Sequence, residues 1–201
     1  MINPEFKVGD IIACSGHAWQ SFLINILTYG IPGYHASHVG ILGEYGGELL
    51  LFESTTLDEL PCVIQGKQCD GVKAVRLKDR VEQYSGRMWH YPIYRPLFGN
   101  EANRLNNFLC AKIGTPYDKI GAIRAGGIGW SWVESLLHRE DLSFIFCSEL
   151  CAAAHTQIGL LRTDNVSRWN PNRFVRRERR ERILRKPRRL TCDDFVQPCF
   201  S

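Results

Sequence analysis

Two glycines in succession, Gly46-Gly47, divide the run Ser37–Leu42 (Ser-His-Val-Gly-Ile-Leu) from Glu48–Ser54 (Glu-Leu-Leu-Leu-Phe-Glu-Ser). Glycine tolerates the positive φ angles that a tight turn between antiparallel strands demands, so the pair predicts a β-hairpin. A hairpin commits the chain to an antiparallel sheet, and the apolar residues of both runs require cover from elsewhere in the sequence.

The flanking segments supply both strands and cover. Val8–Ser15, with Val8, Ile11, Ile12 and Ala13, predicts a strand. Over Ala18–Tyr29 the apolar Trp19, Phe22, Leu23, Ile26 and Leu27 recur at spacings of three and four, which predicts a helix ended by Gly30-Ile-Pro-Gly33. Gly71–Leu77 and His90–Tyr94 read as further strands, and Ala102–Ile113 as a helix through Leu105, Phe108, Leu109 and Ile113. Arg124–Trp132 is a glycine-rich loop without the ending of a phosphate loop. Cys147–Ile158 predicts a helix with Leu150, Cys151, Ala154 and Ile158 on one side and Gly159 as its stop. Pro171, with Asn170 as cap, opens a last helix. The expected fold class is α+β, an antiparallel sheet packed against helices.

Charge is unevenly placed. Ten basic and two acidic residues lie between Arg173 and Arg189; the chain totals 25 and 21, so 15 basic and 19 acidic residues remain elsewhere. A solvated helix face is the ordinary meaning of such a segment, and contact with an anionic polymer, a membrane surface or nucleic acid is the alternative. Aromatic residues there are few (Trp169, Phe174), so no stable nucleic-acid complex is expected. The N-terminal residues show no basic stretch leading into an apolar core and a cleavage site, and no run approaches the ~20 apolar residues of a membrane span. The expectation is a cytoplasmic protein, with release by lysis or delivery in a phage particle as the other routes. Its eight cysteines are then reduced thiols, and their spacing supports a structural zinc site only weakly; no metal or cofactor is expected. Cys62 and Cys69 flank a short loop; idle thiols are the favoured reading, and a bridge or a metal between them is the alternative.

Three residues stand out for chemistry. Cys147 follows Phe144-Ile-Phe146 and precedes a helical pattern, which puts it at or near the first turn of that helix. There a thiol meets the positive end of the helix dipole and unpaired N–H groups, which favour thiolate and a developing oxyanion. His38 lies on the first hairpin strand and Glu53 at the far end of the second, so a suitable register places the carboxylate beside the imidazole. A buried core cysteine, a packed histidine and a solvated edge glutamate are the competing readings.

Five segments, in order, resemble the permuted branch of the NlpC-type papain-like peptidases, the YiiX-like proteins: Gly9-Asp-Ile-Ile12, Tyr34-His-Ala-Ser-His-Val-Gly-Ile41, Leu51-Phe-Glu-Ser54, Gly114-Thr-Pro-Tyr-Asp118 and Phe146-Cys-Ser-Glu-Leu150. Lecithin:retinol acyltransferase is a more distant relative of that branch. The resemblance implies a circularly permuted papain-like fold, with Cys147 as nucleophile, His38 as base and Glu53 as the orienting third residue. It implies that Tyr117 and Asp118 lie near the cleft, and His35 is close enough in sequence to His38 to line it. Residues 1–170 would form the catalytic domain, and 171–201 a basic helix and tail packed on it. The glycine-rich stretch at 126–132 has no counterpart in the pattern.

The resemblance implies a thiol hydrolase that cleaves an amide bond, of the peptidoglycan-peptide type or a related amide, through a thioester. Lipid acyl hydrolysis or transfer, or thioester cleavage, is the alternative chemistry for the same site. A binding module acting through the arginine-rich tail is the non-enzymatic alternative. Oligomeric state is not legible.

Overall fold

The computed structural model describes residues 6–15, 36–55, 59–115, 139–162 and 171–195, with 139–146 as backbone only. Tyr45 pairs with Glu48 across Gly46 and Gly47, whose φ angles are +61° and +81°. That is the two-residue loop with positive φ at both centres whose twist matches the strands it joins.

Around this hairpin the described chain runs β1 (Ile11–Ser15), β2 (His38–Tyr45), β3 (Glu48–Thr55), β4 (Gly71–Arg76), α1 (Leu77–Gln83), β5 (Arg87–Tyr91), α2 (Gly99–Lys112), α3 (Arg139–Gln157), α4 (Pro171–Arg180) and β6 (Arg188–Leu190). A 3₁₀ turn, Cys192–Phe195, follows. The strands form one sheet in the order β4-β3-β2-β1-β5-β6, antiparallel at every junction. The fold is α+β.

Successive strand residues point to opposite faces, and here both faces are covered. Ile11, Ala13, Val39, Ile41, Leu50 and Phe52 join Leu105 and Leu109 of α2, Leu150 and Cys151 of α3 and Phe174 of α4 in one core. Ile12, Cys14, Leu42 and Leu51 form a second core with Val75, Leu77 and Val81, under α1. Double cover explains why β1 and β3 read as unbroken apolar runs rather than as alternations.

Element bounds depart from the sequence reading in ways that matter. The first strand starts at Ile11 rather than Val8, because Gly9 takes φ +93° and Asp10 turns its carboxylate onto the backbone N–H groups of Lys7 and Ile93. The hairpin strand runs on to Tyr45, three residues past Leu42, and the strand expected at His90–Tyr94 is Arg87–Tyr91. Leu77 opens α1 instead of closing a strand; this seven-residue helix was not foreseen, because only Leu77 and Val81 mark its apolar side. The expected helix at Cys147 begins eight residues earlier, at Arg139. Within the arginine-rich stretch, Arg188–Leu190 pairs with β5 as an edge strand. The helix expected at 18–29, the loop at 124–132 and the Asn170 cap lie outside the described residues.

The seat of α2 on the hairpin gives a test of the packing. A Cβ at Gly43 would stand 2.8 Å from Leu109 Cδ1 and 2.9 Å from the Phe52 ring. Gly43→Ala should therefore cost about 1–3 kcal/mol of unfolding free energy by overpacking, read by urea denaturation. Gly46→Ala, at a positive φ with open space around it, is strained by its backbone alone and serves as the comparison.

Candidate active site

Leu42 and Leu51 are cross-strand partners whose side chains share the α1 face of the sheet. His38 lies four residues before Leu42 and Glu53 two after Leu51, so strand alternation puts both on that face. His38 Nε2 lies 2.7 Å from Glu53 Oε2, and both side chains are buried. The thiol of Cys147 hydrogen bonds to the same imidazole. With Nε2 on the carboxylate, Nδ1 is the ring nitrogen left for the sulfur.

Glu53 is held from three directions. Its strand partner on β4 is Lys73, whose ammonium donates to the Leu60 carbonyl at 2.9 Å. Arg80 of α1 brings its Nε to 3.3 Å from Glu53 Oε1. Burial alone would raise the carboxyl's pKa, but Arg80, the His38 hydrogen bond and charge, and Lys73 together pull it down to about 2. Glu53 is thus ionised and accepts only, so Nε2 donates to it. For His38 burial works to depress the pKa; the charge and hydrogen bond of Cys147, followed by those of Glu53, outweigh it and raise the imidazole to about 9.

Two neighbouring thiols are held neutral. Cys14 of β1 is the register partner of His38, and burial, opposed by the charge of Arg80, pushes its pKa to about 12. Cys151, one helical turn beyond Cys147, is pushed well above the ordinary thiol range, again by burial first.

Two other histidines make buried carboxylate pairs without a thiol. His155 faces Glu178 through Nδ1 at 2.7 Å and the Gly9 carbonyl through Nε2 at 3.0 Å, so both its ring nitrogens are taken. His90 meets Asp10 at 2.6 Å under the ring of Phe6. Among the described residues, His38 alone of these three is shown with a cysteine on its ring.

The helix around Cys147 differs from expectation. Because α3 runs Arg139–Gln157, Cys147 lies in its interior rather than its first turn. Interior N–H groups are bonded to carbonyls four residues back, so α3 itself brings this sulfur neither an unpaired amide nor its terminal dipole. The short apolar run 144–146 belongs to the helix instead of preceding it; periodicity cannot tell such a run from helix. His35, Tyr117 and Asp118, expected at the cleft, lie outside the described residues. Arg80, Lys73 and Cys14 were missed. Lys73 had a signal, since it is the one polar residue inside the apolar run Val72–Val75.

No protein-family model and no curated protein matches the chain. Among solved structures it is similar to the metalloprotein YiiX from Escherichia coli O157:H7 (DUF1105), at 20% identity and a TM-score of 0.50, over 96% of this chain and 93% of that one. The likeness is one of fold, and it is to a protein of the name that the sequence motifs pointed to.

The pH behaviour of the pair can be measured on the folded protein. His38 has a folded-state pKa of about 9 against an ordinary 6.5, so its contribution to stability is fully present below pH 6.5 and lost as pH rises through 9. Glu53, lowered from 4.5 to about 2, contributes above pH 4.5 and loses that contribution as pH falls through 2. Between pH 6.5 and 9 the unfolding free energy of the wild type should therefore fall more steeply with pH than that of His38→Asn. Parallel slopes in urea titrations would contradict a raised imidazole pKa.

Proposed function

We propose that the chain is a thiol hydrolase of the papain-like type, with Cys147 as nucleophile, His38 as acid and base and Glu53 as the residue that orients the imidazole. The observation that carries the reading is the contact chain Cys147–His38–Glu53, in which the imidazole has one nitrogen on an ionised carboxylate and the other for a thiol. The ordered motifs and the fold likeness to YiiX lend it support.

The chemistry follows from the proton positions. Cys147 passes its proton to His38 Nδ1, and the thiolate attacks a carbonyl carbon. The imidazolium returns that proton to the leaving nitrogen as the C–N bond breaks, which leaves a thioester on Cys147. Nδ1 then takes a proton from water, the hydroxide adds to the thioester carbonyl, and the acid departs as the thiolate is restored. Glu53 stays ionised throughout and stabilises the imidazolium at Nε2. Burial of the sulfur and the ring excludes bulk water, which strengthens the pairing of their charges.

An amide is the preferred bond, of the peptidoglycan-peptide type or a related amide, with an acyl ester or thioester as the same chemistry on another leaving group. YiiX is described as a metalloprotein. Among the described residues here, no group of three His, Cys, Asp or Glu side chains is arranged to hold a metal ion, so no step is routed through one.

Intact-mass analysis after incubation with peptidoglycan peptides, acyl lipids or an acyl thioester tests the reading. A covalent adduct on Cys147 in the wild type, absent in Cys147→Ala and in His38→Ala, is the expected result. The adduct's mass names the acyl group, and the released partner shows whether an amine, alcohol or thiol left. Full turnover by folded Cys147→Ala would sink the proposal.

A further inference from the structure

The helix α1 covers the sheet face opposite α3 and belongs to no recognised motif, yet it carries a buried guanidinium to the innermost member of the candidate triad. Arg80 is 5% exposed, and it lies between the Glu53 carboxylate and the ring of Tyr84, whose centroid is 5.5 Å from its Cζ. Tyr84 in turn hydrogen bonds to Ser37, and the Ser37 hydroxyl donates to the Cys14 carbonyl at 3.2 Å, beside the start of β2. A charged side chain in such a place is costly to bury, and it persists where it answers another charge.

We propose that Arg80 is a positioning residue that keeps Glu53 an acceptor through the whole proton cycle and so fixes His38 in the Nε2–H tautomer. The inference rests on the thiol-hydrolase reading above for its consequence, but not for its measurement.

Arg80 matters most at the moment when His38 is neutral. While the ring is an imidazolium, it stabilises the carboxylate by its own charge. Once the ring has given up its Nδ1 proton, that charge is gone, and an isolated buried carboxyl would tend to take up a proton. A protonated Glu53 would donate to Nε2, which would move the ring's remaining proton to Nδ1. The nitrogen facing Cys147 would then have no lone pair with which to accept the thiol proton. Arg80 cannot lose its charge, so it holds Glu53 ionised whatever the state of the ring. Lys73 of β4 acts in the same sense. Among the described residues, the other titratable groups that act on the pair are Cys147 and Cys151 of α3, Cys14 of β1 and Tyr84 at the end of α1. None of them supplies a positive charge.

The test uses the full chain labelled with 15N-histidine, with His38 assigned by substitution and observed above its titration near pH 9. The wild type should show His38 as the Nε2–H tautomer, with Nδ1 unprotonated. Arg80→Met, and in parallel Arg80→Gln, which keeps much of the length but not the charge, should show growth of the Nδ1–H tautomer. Arg80→Lys should restore Nε2–H. At neutral pH, where the ring is an imidazolium in the wild type, alkylation of Cys147 by iodoacetamide should slow by about tenfold or more in the two neutral variants, because a Glu53 that takes up a proton no longer supports the imidazolium beside the sulfur. An Nδ1–H tautomer in the wild type, or an unchanged Nε2–H spectrum in either folded neutral variant, would overturn the proposal. Labelling of Cys147 that is indifferent to His38→Ala would sink the hydrolase reading instead and leave the tautomer result to stand or fall by itself.

Discussion

Glu53 is a carboxylate with no exposure to solvent, set inside a six-stranded sheet. A bare charge there would be prohibitively unfavourable, and the structure answers it with groups drawn from three separate elements. β4 brings Lys73 opposite it in register, α1 brings Arg80 from above, and β2 offers the His38 ring. Each of these elements must be in place for the carboxylate to be tolerated. The charge therefore specifies the register of β3 against β4 and the seat of α1 on the sheet, and it gives the imidazole its direction.

The consequence for chemistry lies in the division of the molecule into two covered faces. The carboxylate and its cations belong to the α1 side, while Cys147 belongs to the core under α2, α3 and α4. His38, the first residue of β2, is where the two sides meet, with one ring nitrogen for each. The other two buried histidine–carboxylate pairs tie chain segments together instead: Asp10–His90 links the start of β1 to β5, and His155–Glu178 links α3 to α4 and to Gly9. Among the described residues the same pairing serves assembly in two places, and only at His38 does it come with a thiol on the ring.

The arginine-rich C-terminal stretch is used by the fold in several places. Glu178 is buried against His155, Arg177 pairs with Glu181, Arg188 with Asp194, and Arg185 donates to the Tyr94 carbonyl. Arg188–Leu190 adds the edge strand beyond β5. Surface ion pairs of this kind contribute little energy each, so the strand pairing and the buried Phe174 and Leu190 do more to hold the segment.

What the sequence determined by itself was local or repeated. Gly46-Gly47 dictated the hairpin because the turn demands positive φ, and hairpin alternation then put His38 and Glu53 within reach of one another. The apolar spacing of 102–113 and the Pro171 start signalled helices for equally local reasons. Tertiary structure decided the rest. Nothing near Arg80 in the chain marks a guanidinium that will be buried, because its partner lies 27 residues away and on another element. Nor did the residues around Cys147 reveal that their helix starts at Arg139, since a short apolar run fits helix and strand alike. Local sequence fixes which face a side chain takes; only packing decides which charge it will meet there, and how far water is kept from both.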